Sequence, residues 1–234
     1  MLINNRQKMK LLPDDIHIWV ADLAISPTQS EAQAAFLSMD ECERAKRFHS
    51  SIHKNRFIAA RYALRVILSY YLDQPPQAIQ FGYSTFGKPY LLDLQASSLQ
   101  FNLAHSHRIA IYGITLNYPI GVDIEYIQDV FPQDVARRYF PGEYDHLMQV
   151  PVKDRVKEFF HLWTRKEAVI KAIGKGLSLS LSSFTVSLQQ PSETIFLEKE
   201  SWHLLSLDIH AHYLSALATN QLVKNITIHH FKIK

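Results

Sequence analysis

The apolar positions of this chain change period along its length. Between residues 54 and 72, Phe57, Ala60, Leu64, Ile67, Leu68 and Tyr71 recur at spacings of three and four, the mark of a helix burying one stripe. Asp73-Gln74-Pro75-Pro76 ends it, since proline cannot continue a helix. A second such segment, VKEFFHLWTRKEAVIKAIG (156–174), carries Phe159, Trp163, Ile170 and Ile173 on its stripe and ends at Gly174, suited to a left-handed cap. Shorter helical pieces are expected in SPTQSEAQAAFLSMDECERAKRF, DVARRYF and GEYDHLMQ. Ser30 is a candidate cap, and Ser38 with Glu41 has the capping-box spacing.

Period-two alternation marks the rest as strands. IHIWVADL (16–23), IQFGYS, KPYLL, LQFNLAH and RIAIYGITL belong to the first half, and IGVDIEYI, SSFTVSL, WHLLSLDI, HYLSALAT and NITIHHFKI to the second. Strand, helices, long helix and strands thus occur twice. The pattern predicts an α+β chain of two similar halves, 1–117 and 118–234, joined near Leu116–Pro119. The link TLNYP is too short for a flexible tether, so a ligand cleft is expected between the halves.

Composition narrows this picture without redirecting it. A 234-residue chain with 47% hydrophobic and 20% charged residues builds a real core and is not disordered. A formal net charge of +3 suits an anionic ligand or an acidic partner. The single cysteine, Cys42, rules out a disulfide within the chain and points to a reducing compartment. No apolar run approaches the length of a membrane span, and the N-terminal stretch has no uninterrupted apolar region before Pro13. A cytoplasmic protein is expected.

The chemistry gathers at GVDIEYI (121–127). Asp123 and Glu125 fall on one face of a strand, with Val122 and Ile124 on the other. Two carboxylates side by side need a shared proton, a basic partner or a metal ion, or else an exposed face where water solvates them. On the second long helix, Glu167 and Lys171 are four apart and so share a face. Glu167 lies about 40° from Trp163 by the helical repeat, at the border of the packed stripe. Lys175 follows on a tight turn. FGKP (86–89) sets Lys88 beside a proline-stiffened turn, FNLAHSHR brings His105 to a strand end, and ERAKRFHSSIHKNRF concentrates Arg44, Lys46, Arg47, Lys54 and Arg56.

FGKPYL, FNLAHS, PIGVDIEYI and FFHLWTRKEAVIKAIGKGL, in this order, resemble the 4′-phosphopantetheinyl transferases, and the two-halved length is similar to their surfactin-type (Sfp-like) branch. The resemblance runs from about Ile16 to about Thr219 and is strongest between 86 and 177. It implies two α+β halves related by a pseudo-twofold, each a small antiparallel sheet packed on a long helix. It also implies transfer of the phosphopantetheine arm of coenzyme A to a serine of an apo carrier protein, acyl, peptidyl or polyketide, releasing adenosine 3′,5′-bisphosphate. By motif position, Asp123, Glu125 and Glu167 would hold Mg²⁺, and Glu167 would be the base. Lys171 would neutralise the pyrophosphate, with Lys166 a phosphate or charge partner. Arg44, Arg56, Lys88 and His105 would grip the nucleotide end. The first half would then bind nucleotide and the second carry metal and catalysis. A monomer is expected, with neither nucleic acid nor membrane as partner.

Two positions depart from the pattern: Ala104 stands where the branch has Ser, and Glu41 where it has Lys. Two rivals share the same residues. A Mg²⁺-dependent phosphodiesterase or nuclease would send the phosphoryl group to water, and an inactive carrier-binding module would turn nothing over.

Overall fold

The computed structural model describes residues 8–93 and 98–233. The first half runs β1 (Asp15–Asp22), α1 (Pro27–Ala34), α2 (Met39–Lys46), α3 (Ser51–Ser69), β2 (Phe81–Tyr83), β3 (Pro89–Leu91), β4 (Leu99–Ser106) and β5 (Ile109–Leu116). The second runs β6 (Ile120–Tyr126), α4 (Gln133–Tyr139), α5 (Tyr144–Gln149), α6 (Arg155–Ile173), β7 (Ser192–Leu197), β8 (Glu200–Leu207), β9 (Tyr213–Thr219) and β10 (Asn225–Phe231). The two long helices, α3 and α6, each span 19 residues.

The expected α+β architecture is present, with three local differences. SSFTVSL forms no strand: Leu181–Ser183 is a 3₁₀ turn, and the strand lies later, at β7. Helix α1 is capped by Ser26, with Pro27 in its first turn, while Ser30 is buried inside and donates to Asn55 Oδ1. The third difference is topological. The first sheet has the order β10-β1-β5-β4 and the second β6-β9-β8-β7. β10, assigned by the sequence pattern to the second half and expected from the resemblance in an antiparallel sheet, instead runs parallel to β1, Asp15 opposite Asn225 through Ala21 opposite Phe231.

Alternation along the strands builds a layered core. In the first sheet Trp19, Ala21, Tyr112 and Ile114 pack on Ala60, Leu64 and Ile67 of α3. The opposite face, Ile16, Ile18, Ile109 and Ile111, meets Ile120, Val122 and Ile124 of β6. Phe159, Ala168 and Ala172 of α6 cover Trp202, Leu204, Ala216 and Ala218 of the second sheet. The two sheets therefore share an apolar interior, with a long helix outside each. Val122 and Ile124 seal that interior, so Asp123 and Glu125 turn toward α6.

Gly121 sets how near. A Cβ there would lie 2.0 Å from the Ala168 carbonyl oxygen and 2.2 Å from the Ala172 nitrogen. Only glycine lets β6 approach α6 this closely, and that approach brings Asp123 to Lys171. Among the described residues no helix is long and apolar enough to cross a membrane.

Candidate active site

Asp123 is 3% exposed, and its Oδ1 accepts from Lys171 Nζ at 2.6 Å. Its Oδ2 is buried with no hydrogen-bond partner. Burial holds its pKa above the usual carboxylate range against the pull of Lys171. Glu125, half-buried, accepts from Ser106 Oγ at 2.7 Å. Burial, with Asp123 and Glu167 adding repulsion, pushes its pKa up to about 7. Glu167 is raised by burial and by Asp123, against the attraction of Lys171. Burial alone would depress Lys171, but Asp123, Glu167 and Glu125 together raise it. Three carboxylates thus share one electrostatic neighbourhood around a single ammonium.

Lys171, its side chain 29% exposed, borders a cavity of about 330 Å³ also lined by Arg44, Phe57, Arg61, Tyr83, Pro89, Ala104 and His105. Asp123 stands behind it. His105, at the mouth, has a pKa lowered by partial desolvation, then by Lys171, Arg56 and His53. The cleft has a cationic wall from the first half, Arg44 and Arg61, and faces Lys171 of the second, whose carboxylate partner Asp123 is buried. A smaller hollow of about 210 Å³ continues past Lys88, Asn102 and Gly176. Larger ones lie elsewhere, about 940 Å³ beside Glu143 and about 650 Å³ beside Tyr71. Neither is lined by Lys171, Arg44 or His105, so chemistry rather than size locates the site.

Comparison with known proteins decides the family. A model of the 4′-phosphopantetheinyl transferase superfamily matches residues 119–221, and one of the 4′-phosphopantetheinyl transferase N-terminal region matches 24–113. The chain is 38% identical to the 4′-phosphopantetheinyl transferase HetI of Nostoc sp. over 85% of each chain. It is 32% identical to the 4′-phosphopantetheinyl transferase Sfp of Bacillus subtilis, over 74% of this chain and 75% of that one. The chain belongs to the 4′-phosphopantetheinyl transferase family, and is of its Sfp-like type.

Within this transferase the residues singled out by sequence separate into two groups. Arg44, His105 and Lys171 line one cavity, and Arg56 acts on it electrostatically. Asp123, Glu125 and Glu167 interact through Lys171. Two lysines depart from their expected roles. Lys166 is fully buried, and its Nζ donates to Glu143 Oε2 at 3.0 Å and to the carbonyls of Leu181 at 2.8 Å and Phe184 at 2.6 Å. It supports the turn after α6 and is the charge partner of Glu143, buried away from the cleft, because successive helix positions face different directions.

Lys88 Nζ donates to the carbonyls of Ile120 at 3.2 Å, Lys171 at 2.7 Å and Ala172 at 3.2 Å. Its three donors are thus taken by β6 and by the carboxyl-terminal turn of α6, where the helix dipole favours a cation. Burial brings its pKa down to about 8. Lys88 pins the halves together rather than gripping nucleotide. Lys175 pairs with Glu198 at the surface.

Glu41 has its own structural role. It accepts from Ser38 N at 3.0 Å, closing the start of α2. It is also 1% exposed between Arg61 and Arg65. Arg61, which the sequence pattern did not single out, lines the cavity and reaches Tyr83 OH at 3.2 Å. Its signal was faint: an arginine one turn after Phe57 on an apolar helix.

Among the described residues no three His, Cys, Asp or Glu side chains are already gathered as a metal cage. Lys171 holds one oxygen of Asp123 and Ser106 one of Glu125. The donor set nonetheless fits a hard divalent cation, since it offers carboxylate oxygens, one of them buried and unpartnered.

Proposed function

We propose that this enzyme transfers the 4′-phosphopantetheine arm of coenzyme A to a serine hydroxyl of an apo carrier protein. The observation that carries the reading is a cationic wall facing Lys171 across one cleft, with three carboxylates grouped around that lysine. A nucleotide carrying a 3′-phosphate and a pyrophosphate suits the first wall, where Arg44, Arg56 and His105 would bind its phosphates, with Arg61 beside them. Asp123, Glu125 and Glu167 would hold Mg²⁺, which when bound polarises phosphoryl oxygens and offsets developing charge.

In the reaction the serine oxygen bonds to the phosphorus that carries pantetheine. The bond from that phosphorus to the bridging oxygen breaks, and adenosine 3′,5′-bisphosphate leaves. Glu167 would take the serine proton, directly or through water; its raised pKa moves a weak base toward the operating range. Lys171 would neutralise charge on the pyrophosphate where it develops. Both walls come from one chain, which supports a monomer as the working unit.

The test is incubation with coenzyme A, Mg²⁺ and an apo carrier protein, followed by intact-mass measurement. The reading expects the carrier to gain one phosphopantetheine arm and requires the metal. Coenzyme A cleavage with an unmodified carrier would replace transfer by hydrolysis.

A further inference from the structure

β4 and β6 are edges of different sheets and share no backbone ladder. Two β4 side chains join them instead. Asn102 Oδ1 accepts from Val122 N at 2.9 Å, and Ser106 Oγ accepts from Tyr126 N at 3.1 Å. The constant offset between partners makes the strands run parallel here, and the two brackets enclose Asp123 and Glu125. Ser106 does more than bracket. A hydroxyl has one proton to donate. With Tyr126 N–H supplying a donor to its oxygen, Ser106 turns that proton onto Glu125 Oε2 at 2.7 Å.

A glutamate side chain has three torsions, and Glu125 sits among repelling carboxylates. Unheld, it would swing toward water. Held by Oε2, it keeps Oε1 free and aimed. We infer that Ser106 is a positioning residue for the transferase, fixing Glu125 so that its second oxygen faces the cation. The inference rests on the proposed metal-dependent reaction, and it assigns Ser106 no contact with substrate. Partners that orient a metal-binding side chain commonly change metal affinity about 10- to 100-fold when removed.

The experiment measures Mn²⁺ binding by electron paramagnetic resonance, alongside the Mg²⁺ dependence of carrier modification. It uses the full-length enzyme and Ser106→Ala, Ser106→Cys, Ser106→Thr, Glu125→Gln and the Ser106→Ala/Glu125→Gln double variant. Ser106→Ala and Ser106→Cys, which lack a strong donor, are expected to weaken Mn²⁺ binding about tenfold and to raise the Mg²⁺ requirement in step. KM for coenzyme A at saturating Mg²⁺ should stay unchanged. Ser106→Thr should restore binding, and on the Glu125→Gln background the alanine change should cost nothing further.

Parental Mn²⁺ affinity in the cysteine variant would overturn the inference and leave the transfer reaction standing. So would a loss that persists in full on the Glu125→Gln background, which would show Ser106 acting through the backbone of β6. A parent enzyme that binds no Mn²⁺ and transfers without divalent metal would remove the metal reading itself, and the inference with it.

Discussion

Both halves bury charge, and they do it in two different ways. In the first half, Glu41 lies between Arg61 and Arg65, each oxygen held by a guanidinium, and Arg65 also donates to the carbonyls of Pro76 and Ile79. In the second, Lys166 with Glu143 and Arg165 with Glu193 are similarly enclosed. Apart from Arg165 Nε, which is buried without a partner, these arrangements satisfy their members, as buried charges require. The neighbourhood of Lys171 does not: three carboxylates face one ammonium, and Asp123 keeps an unpartnered oxygen. Enclosed networks hold the fold; the open one is prepared for something brought from outside.

Charge removal should separate the two kinds. Glu167→Gln should lower turnover by several kcal/mol of transition-state stabilisation, roughly 10³-fold or more, while the urea midpoint barely moves. Lys166→Met should do the opposite, destabilising by about 3–5 kcal/mol because Glu143 is left buried and unpaired. The folded fraction should keep its kcat, and unfolding monitored beside single-turnover rates checks both. Lys171→Met should cut kcat about 10²–10³-fold with KM for coenzyme A little changed; an effect on KM alone would move Lys171 to the nucleotide wall. Arg56→Ala should raise KM for coenzyme A about tenfold, roughly 1.4 kcal/mol, and spare kcat.

The smallest expected effect concerns pH. His161, on α6 but away from the cleft, is brought down to about 4 by burial, then by Arg165. Its folded pKa lies below the unfolded value, so between about 6.5 and 4 only the unfolded chain takes up the proton. Stability should fall with pH across that window and no further below it. His161→Gln should flatten that limb in urea midpoints measured at several pH values.

The long helices, the strand carrying the acids and the shared face of Glu167 and Lys171 were legible because each is a local repeat of two, three or four residues. What escaped depended on distant partners. Lys166 stands beside Glu167 in sequence but points about 100° round the helix, into the core. Lys88 looked like a free cation until the end of α6 arrived to occupy it. Glu41 looked like a misplaced charge until Arg61 and Arg65 enclosed it. β10 has ordinary alternation, and period alone does not name a pairing partner.

That last strand has a consequence for how the protein is made. Residues 225–231 lie against 15–21, so β1 waits for a strand made long after it. The first sheet, with the cationic wall that it supports, is completed only once β10 has been made. A nascent chain stalled near β9 would already carry all three acids yet expose a bare edge beside β1.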